Sequence, residues 1–199
     1  MTEIGLNCGI CEWVDGDGKT IARYPALLVQ GKQFPQNQRE LVKLLFQGND
    51  VQNPACMYRR EILSDIPGPF DSSLRMSCDW RFTLDVAHRV RIFGIPKVLV
   101  KMKRGKDHEH LWKDRDAGFH YTQRCLTGVY RDYKRHGAGI TYFHYRKAMA
   151  KHLLWPYGWS TPPYKRLLTA LFYDPTNKTA WKQLFLYAKR FMKSPFKRR

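Results

Sequence analysis

Apolar positions alternate with others along residues 6–14, where Leu6, Cys8, Ile10 and Val14 share one side of an extended chain, so the pattern predicts a strand. Asp15-Gly16-Asp17-Gly18 then supplies turn residues ahead of a second strand-like stretch at residues 20–24, and a hairpin is the simplest account of the pair. Asn37 followed by Glu40 reads as a capping box, Leu41, Leu44 and Leu45 share a helical face, and Gly48 suits a C-terminal stop. A short helix is expected there. Residues 55–58, after Asn53-Pro54, read as a strand, and residues 59–63 as a helical turn broken by Pro67-Gly68-Pro69. Over residues 79–90 the spacing of Trp80, Leu84 and Ala87, with Arg81 and Asp85 four apart, predicts an amphipathic helix that Asp79 caps. Residues 92–102 are strand-like. Beyond Asp114 the helical period takes over, predicting helices at residues 119–136, ended by Gly137, and at 142–155, 163–172 and 179–192. The expected fold class is α+β, with few strands in a mixed sheet followed by a helical C-terminal region.

Composition narrows the function classes. The 199 residues are 43% hydrophobic, enough to build a core, and six Trp, eleven Tyr and eleven Phe exclude a disordered chain. Thirty-five Lys and Arg against 17 Asp and Glu give a formal net charge of +18, a field that attracts polyanions without choosing among nucleic acid, anionic membrane and nucleotide diphosphate. Five cysteines, an odd number, and no signal-peptide pattern at Met1-Thr2-Glu3-Ile4 point to free thiols and a cytoplasmic location. No apolar run approaches the roughly 18 residues that a membrane span needs, which leaves surface association open.

Residues 57–87 carry a family resemblance. Met57-Tyr58-Arg59-Arg60-Glu61-Ile62-Leu63, then Gly68-Pro69-Phe70-Asp71-Ser72-Ser73-Leu74, then Cys78-Asp79-Trp80 and Leu84-Asp85-Val86-Ala87 resemble linked segments of the family 2 glycosyltransferases, and Ile95-Pro96-Lys97-Val98-Leu99-Val100 resembles the strand that follows them there. The resemblance implies a partial GT-A-like α/β/α unit, the acceptor-side half, over residues 1–112, a helical C-terminal extension over 113–192, and a basic tail over 193–199. It implies transfer of a sugar from a nucleotide diphosphate sugar to a polysaccharide or lipid-linked acceptor. It also implies a separate N-terminal donor-binding half, which brings the nucleotide and a divalent cation, Mg²⁺ or Mn²⁺. Asp79 takes the position of the second member of the family's acidic pair, whose role is general base toward an acceptor hydroxyl. Read from the residues alone, Asp79 is equally a helix N-cap. Cys78 stands where the family carries Glu.

The same resemblance implies a histidine metal ligand after residues 95–100. His108 is the candidate, given a short local insertion, and a charged surface loop around Asp107, His108, Glu109 and His110 is the other reading. Asp15-Gly16-Asp17 has the letters of a metal motif but the setting of a turn. Cys8 and Cys11 have zinc-like spacing without a second pair, and read as buried strand thiols. Arg59 and Arg60 could meet phosphate, or be solvated and paired to Glu61 or Asp65. Trp155, Tyr157, Trp159 and Tyr164, with Lys165, Arg166 and the basic tail, would suit peripheral association with an anionic membrane, or else a core helix pair with a solvated basic face. The alternative function is a noncatalytic basic module for nucleic acid or anionic membrane.

Overall fold

The computed structural model describes residues 3–66, 70–103, 115–137, 139–154 and 161–193. Along the chain lie β1 (Ile4–Val14), β2 (Thr20–Tyr24), α1 (Ala26–Val29), α2 (Gln38–Phe46), β3 (Cys56–Tyr58), α3 (Arg60–Asp65), α4 (Cys78–Ala87), β4 (Arg91–Lys103), α5 (Arg115–His136), α6 (Tyr142–Leu153), α7 (Pro163–Tyr173) and α8 (Lys178–Lys193). Among the described residues this is an α+β fold with a four-stranded mixed sheet, its strands in the first part and its longer helices in the second.

β1 is the central strand. It runs parallel to β4 from Ile4, opposite Arg91, to Val14, opposite Lys103. Its other edge is shared by two antiparallel partners, β2 beside residues 11–14 and β3 beside residues 6–8. The sequence pattern assigned β1 one apolar side; instead Leu6, Cys8, Gly9, Ile10, Cys11 and Glu12 are all buried, because neighbours cover both faces. Val14 lies past a register shift at residues 13–14 and is only half-buried. Glu12 is accommodated by charge. Its carboxylate accepts from Arg23 Nε (2.8 Å) and Thr20 Oγ1 (3.0 Å) on β2 and faces Lys101 Nζ (3.3 Å) on β4, and the Arg23 guanidinium above all holds it below the usual carboxylate range.

Local chemistry sets the element ends. Asp15 Oδ1 accepts the backbone N–H of Asp17 (3.0 Å) and of Lys19 (2.8 Å), so the Asp-Gly stretch is an Asx-type turn, with Gly18 at a φ of +81°. Asn37 caps α2 by accepting from Arg39 N and Glu40 N. The reciprocal half of the expected capping box is replaced by a Glu40–Lys43 ion pair at 2.8 Å. At α4 the cap is Ser77 and not Asp79: the 3-10 turn at Ser72–Leu74 ends with Ser77 N–H donating to Leu74 O, and the Ser77 carbonyl accepts the first helical bond, from Arg81 N. Asp79 therefore sits inside the first turn. α5 begins at Arg115, four residues before the position expected, and its Asp116 carboxylate accepts from Thr161 N (3.1 Å) and the Thr161 hydroxyl.

The main core gathers Leu6, Leu41, Leu45, Phe46, Phe82, Leu84 and Ile92 from the sheet, α2 and α4, with Phe34 from the loop before α2, and α5 and α6 join it through Leu126, Val129 and Met149. A smaller cluster of Ala150, Leu153, Ala170, Leu171 and Ala180 fastens α7 and α8 to α6. On the outer edge of β4, Gly94 donates its N–H to Gln33 Oε1 and accepts from Gln33 Nε2 at its carbonyl, both at 3.0 Å.

Close approach at Gly5 gives a stability test. A Cβ there would lie 2.1 Å from Ile62 Cδ1 and 2.6–2.8 Å from Val90 Cγ2 and Cβ. Ile62 Cδ1 can rotate away, but the β-branched Val90 is stiff. Gly5→Ala is expected to cost about 1–3 kcal/mol, read as a lower urea midpoint at unchanged slope.

Candidate active site

The residues that resemble the glycosyltransferase segments are mostly structural in this fold. Tyr58, ending β3, packs its ring against that of Phe82 of α4 at a tilt of 45° (centroids 5.0 Å apart) and donates its hydroxyl to Asn53 Oδ1. Phe70 covers the same ring from 4.9 Å, and Asp71 caps the following 3-10 turn through Ser73 N (2.9 Å). Arg59 is engaged by Glu3 at 2.6 Å, a partner that neither sequence reading named. Arg81 bridges Asp85, on its own helix, and Asp132 of α5, each at 2.8 Å, which fixes α4 against α5. Beside this bridge the buried Cys125 thiol is pushed up to about 12, mainly by desolvation.

Asp79 is the exception. Its carboxylate is half-buried at the start of α4, where Oδ1 accepts the Trp80 N–H at 2.7 Å and Oδ2 accepts from Asn49 Nδ2 at 3.2 Å. Burial raises its pKa above the ordinary carboxylate value, and these two donors only partly offset the desolvation. Asn49 comes from the loop after α2. Trp80 Nε1 donates to Leu45 O in the last turn of α2 (2.8 Å), just ahead of that loop, and Gln52 Nε2 donates to Asn49 O within it (3.3 Å). The Trp80 ring also lies 4.8 Å from His152 of α6.

Two features of this loop were not read from the sequence. Asn49 Oδ1 is buried and, among the described residues, meets no hydrogen-bond partner. Asp50 is a second carboxyl whose pKa is raised by burial, moderated by the charge of Lys151 on α6. The only local signal for either was an Asn-Asp pair directly behind the Gly48 helix stop. Chemically, the arrangement offers a desolvated carboxylate with a strengthened affinity for a proton.

The remaining candidates do not join this site. His108 and its neighbours lie outside the described residues, as do Trp155, Tyr157 and Trp159. Asp15 spends its carboxylate on the hairpin turn. Cys8 and Cys11, three apart on β1, are both buried, and Cys8 stands directly opposite Cys56 of β3. Among the described residues, no group of three or more His, Cys, Asp or Glu is placed to hold a metal ion. No described helix is long and apolar enough to cross a membrane. No protein-family profile, curated protein or solved structure matches this chain.

The raised pKa fixes the sign of a pH effect. A carboxyl that binds its proton more tightly when folded contributes stability at low pH, and loses it as pH rises from the ordinary carboxylate range through the raised value. Asp79→Asn abolishes that titration. The variant should gain stability relative to the parent as pH rises from about 4 to 7, measured as the difference in urea midpoints at each pH; a difference that stays flat would contradict the desolvated state of Asp79.

Proposed function

We propose that this chain is the acceptor-side half of a family 2 glycosyltransferase, acting in the cytoplasm and peripherally at the inner face of the membrane. It would transfer a sugar from a nucleotide diphosphate sugar to a polysaccharide or lipid-linked acceptor. The observation that carries the reading is Asp79: a desolvated carboxylate in the first turn of α4, at the place where the resemblance implies a general base. An acceptor hydroxyl is a weak nucleophile. Asp79 would take its proton as the oxygen bonds to the anomeric carbon, while the nucleoside diphosphate leaves with the electron pair of the broken bond. Asn49 would hold Oδ2 of that carboxylate through its Nδ2. The nucleotide and its divalent cation, Mg²⁺ or Mn²⁺, would be held by a donor-binding half.

A second reading, a noncatalytic basic module, draws on Cys78, which occupies the place of the first acidic partner. Calorimetric titration with uridine and guanosine diphosphate sugars and Mn²⁺, with and without a candidate donor-binding half, separates the two. Turnover that requires both halves and falls about 10²- to 10⁴-fold in Asp79→Asn supports the enzyme. Absence of both binding and turnover with every partner supports the module.

The cytoplasmic placement has its own test. Cys8, Cys11, Cys56, Cys78 and Cys125 are free thiols, although Cys8 and Cys56 face each other across adjacent strands. Protein purified without reductant and denatured under thiol reagent should titrate all five. A count lower by two would instead point to a cross-strand disulfide and an oxidising compartment.

A further inference from the structure

The helical hairpin at the C-terminal end leaves a large apolar face uncovered. In α7, Tyr164, Leu168 and Phe172 recur every fourth residue and are exposed, Leu168 by 53% and Phe172 by 76%. Leu167, Ala170 and Leu171 of the same helix already supply its contacts with the core. In α8, Trp181 is 55% exposed and Phe185 68%, while Ala180 and Leu184 face the cluster shared with α6 and α7. The turn between the helices is short, and Tyr164 at the start of α7 lies 6.1 Å from Tyr187 late in α8, so the two run antiparallel. With the core on one side of this pair and the Tyr164–Tyr187 contact between its members, the exposed stripe of each helix falls on the same outward side.

Charge identifies what covers the face. Residues 163–193 contain Lys165, Arg166, Lys178, Lys182, Lys189, Arg190 and Lys193 against a single acid, Asp174. Asp174 is buried in the interhelical turn, where it accepts from Thr176 N and Oγ1. Arg166 donates to Leu153 O and is turned toward α6. Lys165, Lys178, Lys182 and Lys189 are exposed. At about 100° of rotation per residue, the three lysines of α8 lie beside the Trp181–Phe185 stripe and away from the core-facing side. Aromatic side chains bordered by lysines suit a helix lying in the membrane interface, with rings at the headgroup level and ammonium groups reaching the phosphates.

We propose that the α7–α8 hairpin docks in the plane of an anionic lipid surface, inserting Leu168, Phe172, Trp181 and Phe185 among the headgroups while the flanking lysines pair with lipid phosphates. The inference rests on the peripheral placement in the reading above and not on its sugar-transfer chemistry. A vesicle assay without nucleotide sugar therefore keeps the two apart.

The test is flotation of the full chain with vesicles of phosphatidylcholine, with and without phosphatidylglycerol, at physiological ionic strength. The parent should float with the anionic vesicles and not with phosphatidylcholine alone. Phe172→Ser and Phe185→Ser leave the net charge unchanged and should each lower partitioning about tenfold, whereas Phe172→Trp should retain it. Lys182→Ala should lower it about fivefold. Circular dichroism of each variant checks that the fold is kept. The proposal is overturned if the folded serine variants bind as well as the parent, since charge alone then suffices. It is equally overturned if both vesicle types bind alike, or if the chain ignores vesicles and instead binds DNA or forms a homodimer that the same substitutions dissolve.

Discussion

The fold depends on β1 being paired along both edges. One edge is taken by β4 over nearly its whole length, and the other is divided between β2 and β3. Backbone groups buried on a central strand have no access to water, so each needs a partner in an adjacent strand. Side chains on both faces then have to be apolar, small or individually satisfied. Glu12 belongs to the last kind, and its bonds to β2 and its ion pair with Lys101 of β4 span the sheet from edge to edge. From this strand the rest is placed: β3 delivers Tyr58 to the ring of Phe82, and Phe82 anchors α4, whose first turn carries Asp79.

The start of α4 gathers several anchors of the fold in a few residues. Trp80 reaches back to Leu45 and sideways to His152, while Arg81 fastens the helix to α5 through Asp132. Between these anchors Asp79 keeps a half-buried carboxylate served by one side-chain donor. Arg81 shows the opposite arrangement, a partly buried charge matched by two carboxylates. Within three residues the helix thus carries one carboxylate left largely to desolvation and one guanidinium fully matched by charge.

Much of the fold was legible in the sequence because the periodicities are local. The β1–β2 hairpin, α2, α4 and the four C-terminal helices follow from residue spacing and from turn residues such as Asp15 and Gly137. The two-sided burial of β1 was not legible, since it depends on β4, whose pairing residues lie roughly 85 positions further along the chain. Nor was the cap of α4. Ser77 and Asp79 both suit that position, and the preceding 3-10 turn, closed onto Leu74, decides between them. At the site, Asp79 stood out through its motif, but Asn49 lies 30 residues earlier and meets it only in the folded chain. The net charge of +18 was legible from composition, but the exposed rings of α7 and α8 depend on which helix faces the core takes up.

Gln33 has a role at the margin of the sheet. Its side-chain amide bonds both the N–H and the carbonyl of Gly94, as the peptide group of a neighbouring strand would. Long edge strands invite unrelated chains to add to them, and proteins commonly discourage this with charges or bulges. Here the amide of Gln33 occupies the recognition point itself, and Leu28, packed where a side chain on Gly94 would sit, supports it from the same side. A foreign strand joining β4 at Gly94 would first have to evict a hydrogen-bonded tenant, so at this point of the edge the chain supplies its own substitute for a neighbouring strand.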